Sequence, residues 1–235
     1  MLNGRIALRY AIGALVSLAA AYWVGGYGWL LLWLTISLAA QALAYAGLGT
    51  VVFWKKDGRL PWAARIILGP YMIIARITLH YYCRGLAAYA AVTPNVWIGR
   101  RLTSEEGRDV LHKGVTAVLD LTAGFPECAP LLGVKYQNLQ LLPLTVPKLE
   151  DLRDAVRFVQ EESAKGIVYV HGALGYSRSV GVIAAYLLAA DLAKTVNEAV
   201  ERVRYVTPQT LLDDVWMRRL GEFEAGLKRT SAALS

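Results

Sequence analysis

The stretch from Val170 to Ser179 reads Val-His-Gly-Ala-Leu-Gly-Tyr-Ser-Arg-Ser and joins two apolar segments. Residues 167–170, Ile-Val-Tyr-Val, follow a glycine and predict a short buried strand. Residues 180–190 carry no charge and predict a buried helix. A strand, a tight loop and a helix N-terminus together form an anion site, because loop amides converge on the anion and the helix dipole favours negative charge. Arg178 adds a planar guanidinium that can hold two phosphate oxygens at once.

The spacing of this loop resembles the signature of the cysteine-dependent phosphatases, His-Cys-x-x-Gly-x-x-Arg-Ser/Thr. Four positions match: His171, Gly175, Arg178 and Ser179. The resemblance implies that His171 orients the base of the loop, that Arg178 binds phosphate and stabilises the transition-state oxygens, and that Ser179 assists loss of the phosphoryl group from the cysteine. It also implies a phosphate-binding loop made of Gly172, Ala173, Leu174, Gly175, Tyr176, Ser177 and Arg178. The alternative is a glycine-rich turn with an incidental arginine.

Gly172 occupies the position of the nucleophilic cysteine. In the family this thiolate attacks phosphorus, and loop amides and the arginine lower its pKa so that it is ionised at neutral pH. Glycine has no side chain, so the chain with Gly172 is predicted to be inactive. Two explanations stay open: the glycine replaces a native cysteine to trap phosphate or silence the enzyme, or the chain is a natural phosphate-binding pseudoenzyme. The intact remainder of the loop favours the first.

The general acid is a second departure from the family pattern. Members carry an aspartate on the loop before the helix that begins here near Pro147, and it protonates the leaving oxygen. Alignment of residues 141–147 on that loop puts Pro143 at the aspartate position. The other acid candidates are Asp120 at a strand end and three residues on the following helix, Glu150, Asp151 and Asp154. None of them stands out, so the acid is left unassigned.

The composition points to a membrane. Of the 235 residues 56% are hydrophobic, and the mean hydropathy of +0.38 is too high for an ordinary soluble domain. With so much apolar sequence, the net charge of +7 favours an anionic membrane surface over nucleic acid as a partner. Cys83 and Cys128 show no disulfide spacing. No three-ligand cluster is visible in the sequence, so neither a metal nor a cofactor is predicted.

Residues 1–54 predict a transmembrane helical hairpin. Residues 6–24 and 29–49 are two long apolar runs, and no charge occurs between Arg9 and Lys55. A bilayer core requires ~20 apolar residues per helix, and residues 25–28, Gly-Gly-Tyr-Gly, supply the turn. Basic residues flank the hairpin at its two ends: Arg5, Arg9, Lys55, Lys56, Arg59 and Arg65. The positive-inside rule then places both ends, and the domain that follows, in the cytoplasm.

Residues 55–92 predict a basic amphipathic linker that lies in the membrane interface. Arg65, Arg76, His80 and Arg84 fall on one side of an otherwise apolar helix that is broken near Pro70. A third span is the alternative. It would place two arginines at membrane depth and move the following domain to the other side, which is costly.

Residues 93–227 predict an α/β domain, and residues 228–235 a flexible tail. The predicted strands are 95–99, 115–121, 134–142 and 167–170, and the predicted helices are 103–112, 147–164, 180–190, 195–206 and 210–227. Across residues 95–227 this order resembles the dual-specificity phosphatase fold, a central sheet flanked by helices. The opening Asn-Val-Trp-Ile-Gly-Arg and the Val-Leu-Asp-Leu strand fit it. Within the family, the chain is most similar to the lipid-directed branch typified by the mitochondrial phosphatidylglycerophosphate phosphatase.

Three functions follow from the resemblance and the apolar N-terminus. The first is a membrane-anchored phosphomonoester phosphatase acting through a phospho-cysteine, on a lipid phosphate such as phosphatidylglycerophosphate, here without its nucleophile. The second is a membrane-anchored dual-specificity or tyrosine protein phosphatase, and the third is a catalytically dead phosphate-binding pseudophosphatase. Residues 173–177 carry no cation, which argues against a highly phosphorylated inositol headgroup. The expected partners are membrane lipids and a phosphate-bearing substrate; the oligomeric state is not indicated.

Overall fold

The chain forms two compact units in the computed structural model, which describes residues 2–234 and the side chains of residues 3–229. The first unit runs up to Arg84 and includes the short segment Ala123–Pro126. The second unit contains Gly85–Thr122 and the chain from Glu127 onward.

Two long apolar helices dominate the first unit. Helix α1 (Leu2–Val24) and helix α2 (Trp29–Leu43) are joined by a tight turn at Gly26–Gly28, and α2 continues through a π turn and a 3-10 turn to Phe53. A Cβ at Gly28 would lie 2.3 Å from the Ala21 carbonyl oxygen, so only glycine permits this close approach. Asn3–Val24 and Gly26–Phe53 are long and apolar enough to cross a membrane, by length and composition. The predicted pair of long apolar helices is therefore present.

Two further helices of the first unit pack against the middle of α2. Helix α3 (Trp62–Ile67) bends at Leu68 into helix α4 (Gly69–Cys83). The Trp33 indole donates to the Ile66 carbonyl at 2.7 Å, and the Tyr71 amide donates to the Ser37 hydroxyl at 3.2 Å. The break predicted near Pro70 falls just before it, because proline is tolerated in the first turn of α4.

The second unit is built on a five-stranded sheet in the order β1-β2-β5-β3-β4. Its strands are β1 (Tyr89–Thr93), β2 (Val96–Gly99), β3 (Val115–Asp120), β4 (Lys135–Asn138) and β5 (Ile167–His171). Strands β1 and β2 form an antiparallel hairpin, and the other neighbouring pairs are parallel. The unit's helices are α5 (Ser104–His112), α6 (Leu149–Ser163), α7 (Arg178–Ala189), α8 (Val196–Val206) and α9 (Asp214–Leu234).

Helices cover both faces of the central strands. Alternate residues of β5 face opposite sides, so Val168 and Val170 join the core with α6, α7, α8 and α9. Tyr169 joins the second core with α5 and the turn at Ala129–Gly133. Because β5 is buried on both sides, its carboxyl end is fixed, and the loop that leaves it starts from a rigid position.

The structure differs from the sequence prediction at three places in this unit. Strand β1 begins at Tyr89, within the segment 55–92 that was predicted as the interfacial linker, and it pairs with β2 through the turn at Pro94-Asn95. Strand β4 is only four residues long, because the chain turns into an irregular loop after Asn138. Helix α9 continues to Leu234, whereas residues 228–235 were predicted as a flexible tail; Ser235 lies outside the described residues.

Candidate active site

The phosphate-loop candidate leaves the carboxyl end of the central strand β5 and enters α7 at Arg178. His171 pairs in register with Gly99 of β2 and Asp120 of β3, so three parallel strands end at the same level. Ligands of open α/β sheets bind at this edge. The strand, loop and helix predicted around residues 172–177 are all present.

Three carbonyl groups of the loop bond to groups outside it. The carbonyl oxygen of Ala173 accepts from the Arg101 amide at 3.1 Å, and that of Tyr176 accepts from the Leu211 amide at 2.8 Å. The His171 ring meets the Gly172 carbonyl oxygen at 3.2 Å. In a trans peptide the next N–H points opposite to the carbonyl, and no cis peptide occurs among the described residues. The amides that follow these carbonyls therefore face the inside of the loop, which is the arrangement of an anion cradle.

Gly175 is required by the shape of the loop. Its φ of +78° lies in the left-handed region, and a Cβ there would come within 2.7 Å of the Gly99 carbonyl oxygen. Only glycine combines this backbone conformation with this close approach. The match of Gly175 to the family signature thus has a local steric cause.

Gly172 has room for a side chain, in contrast to Gly175. A Cβ at Gly172 would sit 3.9 Å from the Arg178 Nε, 3.9 Å from the Gly175 amide nitrogen and 3.9 Å from the Ser179 Oγ. These are ordinary van der Waals distances, and the backbone at Gly172 is not in the left-handed region. Three hydrogen-bond donors therefore surround the position at which the family signature has its thiolate, although the residue itself offers no nucleophile.

Arg178 and Ser179 border this position. The Arg178 Nη1 donates to the carbonyl oxygens of Leu121 at 3.0 Å and Leu141 at 2.9 Å, which holds the guanidinium beside the loop. Ser179 is fully buried, and its Oγ has no hydrogen-bond partner among the described residues. A buried hydroxyl without a partner is costly, and here it lies next to the site that an anion or a thiolate would fill.

His171 lies below the loop in a buried cluster with Glu127 and Asp120. Its Nε2 is 2.7 Å from Glu127 Oε2 and 4.0 Å from Asp120 Oδ1. Burial by itself lowers the pKa of His171, but the charges of Glu127 and Asp120 and the hydrogen bonds outweigh burial and raise it. Burial raises the pKa of Glu127, but the charge and hydrogen bond of His171 outweigh that effect and hold this pKa below its usual range.

This cluster corrects the expectation that no three potential metal ligands come together. The ligand atoms of Asp120, Glu127 and His171 all lie within 4.8 Å of one another. The Asp120 carboxylate accepts from the Thr122 amide and hydroxyl, both at 2.7 Å, and from the Tyr136 hydroxyl at 2.8 Å. Since the polar atoms already bond to one another and to neighbours, the geometry is that of a hydrogen-bonded cluster. The absence of a metal stays a prediction.

The general-acid position offers no acid. Pro143 is exposed on a turn in which Thr145 donates to the Leu142 carbonyl, and the next residue, Leu144, has a φ of +60°. Asp120 is buried next to His171, and its carboxylate accepts hydrogen bonds from Thr122 and Tyr136. The three candidates on α6, Glu150, Asp151 and Asp154, are exposed on its solvent face.

The sequence did not identify Glu127 as a site residue. Its contact with His171 joins residues that are 44 positions apart in the chain, so no local pattern indicates it.

Comparison with known proteins assigns the family. Residues 101–226, more than half of the chain, match the model of the dual specificity phosphatase catalytic domain. The chain belongs to the dual-specificity phosphatase family. The family match covers α5, the loop at 172–177 and most of α9, so the site described above lies within the matched domain.

Curated relatives and solved structures agree with this assignment. The chain is 31% identical over 139 residues to Dual specificity protein phosphatase Mpk3 of Drosophila melanogaster, covering 57% of this chain and 33% of that protein. It is 29% identical over 140 residues to Dual specificity protein phosphatase 12 of Mus musculus, covering 57% of this chain and 40% of that protein. The chain thus spans well under half the length of these relatives. The structure of PTPMT1 is similar with a TM-score of 0.57 at 25% identity, covering 62% of this chain and 99% of that one.

Proposed function

We propose that this chain binds a phosphomonoester in the loop at residues 172–178, on a phosphatase domain anchored to a membrane, and that a lipid phosphate such as phosphatidylglycerophosphate is its substrate class. With glycine at position 172 the chain binds the phosphate without forming a phospho-cysteine. The form with cysteine at this position would transfer the phosphoryl group to sulfur, break the bond to the leaving oxygen, and then release phosphate by hydrolysis.

The surroundings of Gly172 carry this proposal. The Arg178 guanidinium, the Gly175 amide and the Ser179 hydroxyl converge on one point, and the Ser179 Oγ lacks a partner. Three donors around one point favour an anion there. The cradle is intact, whereas both groups that do chemistry, the nucleophile and the acid, are replaced by Gly172 and Pro143.

The membrane anchor is supported by the exposure of the two long helices. In the most apolar window of each, only 22% and 28% of the residues are buried. A core helix of a soluble domain would be mostly buried, and large apolar side chains such as Leu15, Trp23, Ile36 and Val51 are instead exposed. A cleaved signal sequence does not explain a second apolar helix that follows the first after one turn. The basic residues at both ends favour a cytoplasmic phosphatase domain.

The lipid substrate is supported by the loop and by the anchor together. Loop residues 173–177 bring no positive charge beyond Arg178, which suits a single phosphomonoester. An anchored domain also stays close to lipid headgroups. The alternative, a membrane-anchored protein phosphatase, is favoured by the two curated relatives, which are both named dual specificity protein phosphatases.

Anion binding to the full chain in detergent micelles tests the proposal. We expect calorimetry to detect phosphate and sulfate binding, and Arg178→Ala to weaken both roughly tenfold or more, since a charge-assisted bond is worth ~1.5–3 kcal/mol. The matched control is Arg202→Ala, which removes an exposed arginine of α8 paired with Glu198 and leaves binding unchanged. Equal affinity in Arg178→Ala and the unsubstituted chain would refute the proposal.

Substrate class is tested in the Gly172→Cys chain. Vesicles that contain phosphatidylglycerophosphate and a soluble phosphothreonine peptide are offered at equal phosphate concentration; both are alkyl phosphates, so they depend equally on a general acid. Preferential hydrolysis of the lipid supports the proposal, and preferential hydrolysis of the peptide supports the protein phosphatase.

A further inference from the structure

Glu127 forms the most buried ion pair of the second unit, and the family signature does not include it. Its side chain is 0% exposed, and the His171 side chain with which it pairs is 1% exposed. Glu127 also accepts a 2.7 Å hydrogen bond from the Cys128 amide through its other oxygen, Oε1. Both carboxylate oxygens are therefore fixed, and Oε2 is held toward His171.

Both ring nitrogens of His171 face groups that can only accept a hydrogen bond. Nε2 faces the Glu127 carboxylate at 2.7 Å, and Nδ1 faces the Gly172 carbonyl oxygen at 3.2 Å. A neutral imidazole has one N–H and would leave one of these contacts as two facing lone pairs. An imidazolium satisfies both.

The contact at Nδ1 determines which way the first peptide of the loop faces. When His171 holds the Gly172 carbonyl oxygen, the Ala173 N–H points in the opposite direction, into the loop. If that peptide turned over, a carbonyl oxygen would face the bound anion and repel it. The orientation of the first loop peptide thus depends on the proton at Nδ1.

We propose that Glu127 is a positioning residue that keeps His171 doubly protonated, so that the imidazolium holds the Gly172 carbonyl outward and the loop amides inward. The pair places its positive end next to the loop and its negative end farther away. This inference rests on the phosphate-binding function proposed above and adds to it the residue that sets the loop for anions.

Four other titratable groups lie around the Glu127–His171 pair: Asp120, Tyr169, Cys128 and Tyr136. Asp120 accepts three hydrogen bonds and faces Nε2 from β3. Tyr169 stacks on the His171 ring, and burial first of all keeps its pKa well above its usual range. Cys128, next to Glu127, has a pKa raised to about 12, chiefly by burial. Tyr136 donates to the Asp120 carboxylate at 2.8 Å. His171 contacts the Glu127 carboxylate directly at 2.7 Å, so its protonation is the measurement that reports on Glu127.

Nitrogen NMR of the full chain tests the protonation state directly, because the chain has only three histidines. With ¹⁵N-labelled histidine at pH 8, we expect one residue with both ring nitrogens protonated, and His171→Gln removes its signals. In Glu127→Gln the amide preserves shape and can donate to a neutral ring, so this histidine should become neutral at pH 8. A neutral His171 at pH 7 in the unsubstituted chain would overturn the proposal, and that measurement needs no variant.

Sulfate binding tests whether the protonation of His171 controls the orientation of the loop amides. Sulfate is suitable because its own charge does not change between pH 6 and pH 8.5. The unsubstituted chain should bind sulfate almost equally at pH 6 and pH 8.5. Glu127→Gln should bind it roughly tenfold more weakly at pH 8.5 than at pH 6, because a charge-assisted bond at Nδ1 is replaced by a neutral one. The matched control is Glu162→Gln, which removes a buried carboxylate of α6 paired with Lys165 and should show no such dependence.

The possible results separate this inference from the proposed function. A pH-independent sulfate affinity in Glu127→Gln overturns the positioning role, even when Arg178→Ala behaves as expected. Absence of sulfate binding in the unsubstituted chain overturns the proposed function, while the NMR result still reports on the Glu127–His171 pair.

Discussion

Within the loop at residues 172–178, the departure from the family signature is one residue, Gly172 at the nucleophile position. The position of Gly172 has space, three surrounding donors and an ordinary backbone conformation. The same donors that would stabilise a bound anion would also stabilise a thiolate and lower its pKa. The proposed nucleophilic step therefore depends on one residue of the loop, whereas the proposed anion binding depends on several.

The first prediction at this scale concerns restored chemistry. Gly172→Cys should hydrolyse aryl phosphates measurably and alkyl or lipid phosphates slowly, because Pro143 cannot protonate a poor leaving group and general acid catalysis is worth ~10²–10⁴-fold. Gly172→Cys with Pro143→Asp should recover alkyl and lipid substrates preferentially. The measurement is the ratio of the hydrolysis rates of the two substrate types in each variant.

If the single variant already cleaves alkyl phosphates as fast as the double variant, a carboxylate other than one at position 143 is the general acid. If neither variant is active and anion binding is intact, the pseudophosphatase reading is favoured.

The second prediction concerns Ser179, whose Oγ is buried without a partner. Ser179→Ala should raise the free energy of unfolding of the anion-free chain by up to ~1 kcal/mol, because it removes an unsatisfied polar group. The same substitution should weaken phosphate binding several-fold, because it removes a donor to the anion. Denaturation and calorimetry on the same sample measure the two effects. A loss in both stability and binding would mean that the hydroxyl has a structural partner instead.

At the scale of elements, the loop between β5 and α7 contains two glycines with opposite requirements. Gly175→Ala forces a Cβ into the Gly99 carbonyl at a positive φ, and it should cost ~1–3 kcal/mol of unfolding free energy and impair anion binding. Gly172→Ala, with its new Cβ in ordinary contact distance, should change the unfolding free energy by less than ~1 kcal/mol. Urea denaturation of both variants gives the comparison, and equal costs at the two positions would contradict the loop geometry.

Elements with strong local signals were predictable from the sequence. The helix predicted over residues 103–112 is α5, and its local signal is a capping box in which Thr103 and Glu106 bond each other's amides. The amphipathic helix α6 and the strand before the loop were also predicted close to their bounds. Their signals, a cap, a 3.6-residue period and a β-branched run, lie within each element.

Elements that depend on distant partners were not predictable. Strand β1 has the weak sequence Tyr-Ala-Ala-Val-Thr directly after an apolar helix, and it is a strand because β2 pairs with it. Glu127 lies in a loop without periodicity, and only the fold brings it to His171. The carboxylates on α6 were acid candidates only because they lie close to Pro143 in the sequence. In the structure they are on the exposed face of the helix.

For the whole molecule, the basic residues at the ends of the apolar hairpin predict its orientation. Arg5 and Arg9 precede α1, Lys55 and Lys56 follow α2, and the turn between the helices has no charge. A reporter fused after Ser235 should therefore be active on the cytoplasmic side. A fusion within the turn at residues 25–28 serves as the control and should report the opposite side. A non-cytoplasmic signal from the C-terminal fusion would favour three spans.

The last prediction concerns the stability of the folded chain as a function of pH. The pKa of His171 is raised in the folded state, so its contribution to stability is complete below the unfolded value of ~6.5 and is lost as pH rises through the folded value. The pKa of Glu127 is lowered, so its contribution is complete above ~4.5 and is lost as pH falls through its folded value.

The pair should therefore stabilise the chain most between about pH 4.5 and pH 6.5. Above that range, the difference in unfolding free energy between the unsubstituted chain and His171→Gln should shrink by about 1.4 kcal/mol per pH unit until the folded pKa is passed. Denaturation of both chains in the same detergent across pH 5 to 9 measures this difference, and the subtraction cancels groups common to both. A difference that stays constant over this range would mean that His171 keeps the same charge in the folded and unfolded chain. Because Nε2 and Nδ1 both face acceptors, the structure predicts instead that folding itself takes up a proton at this residue.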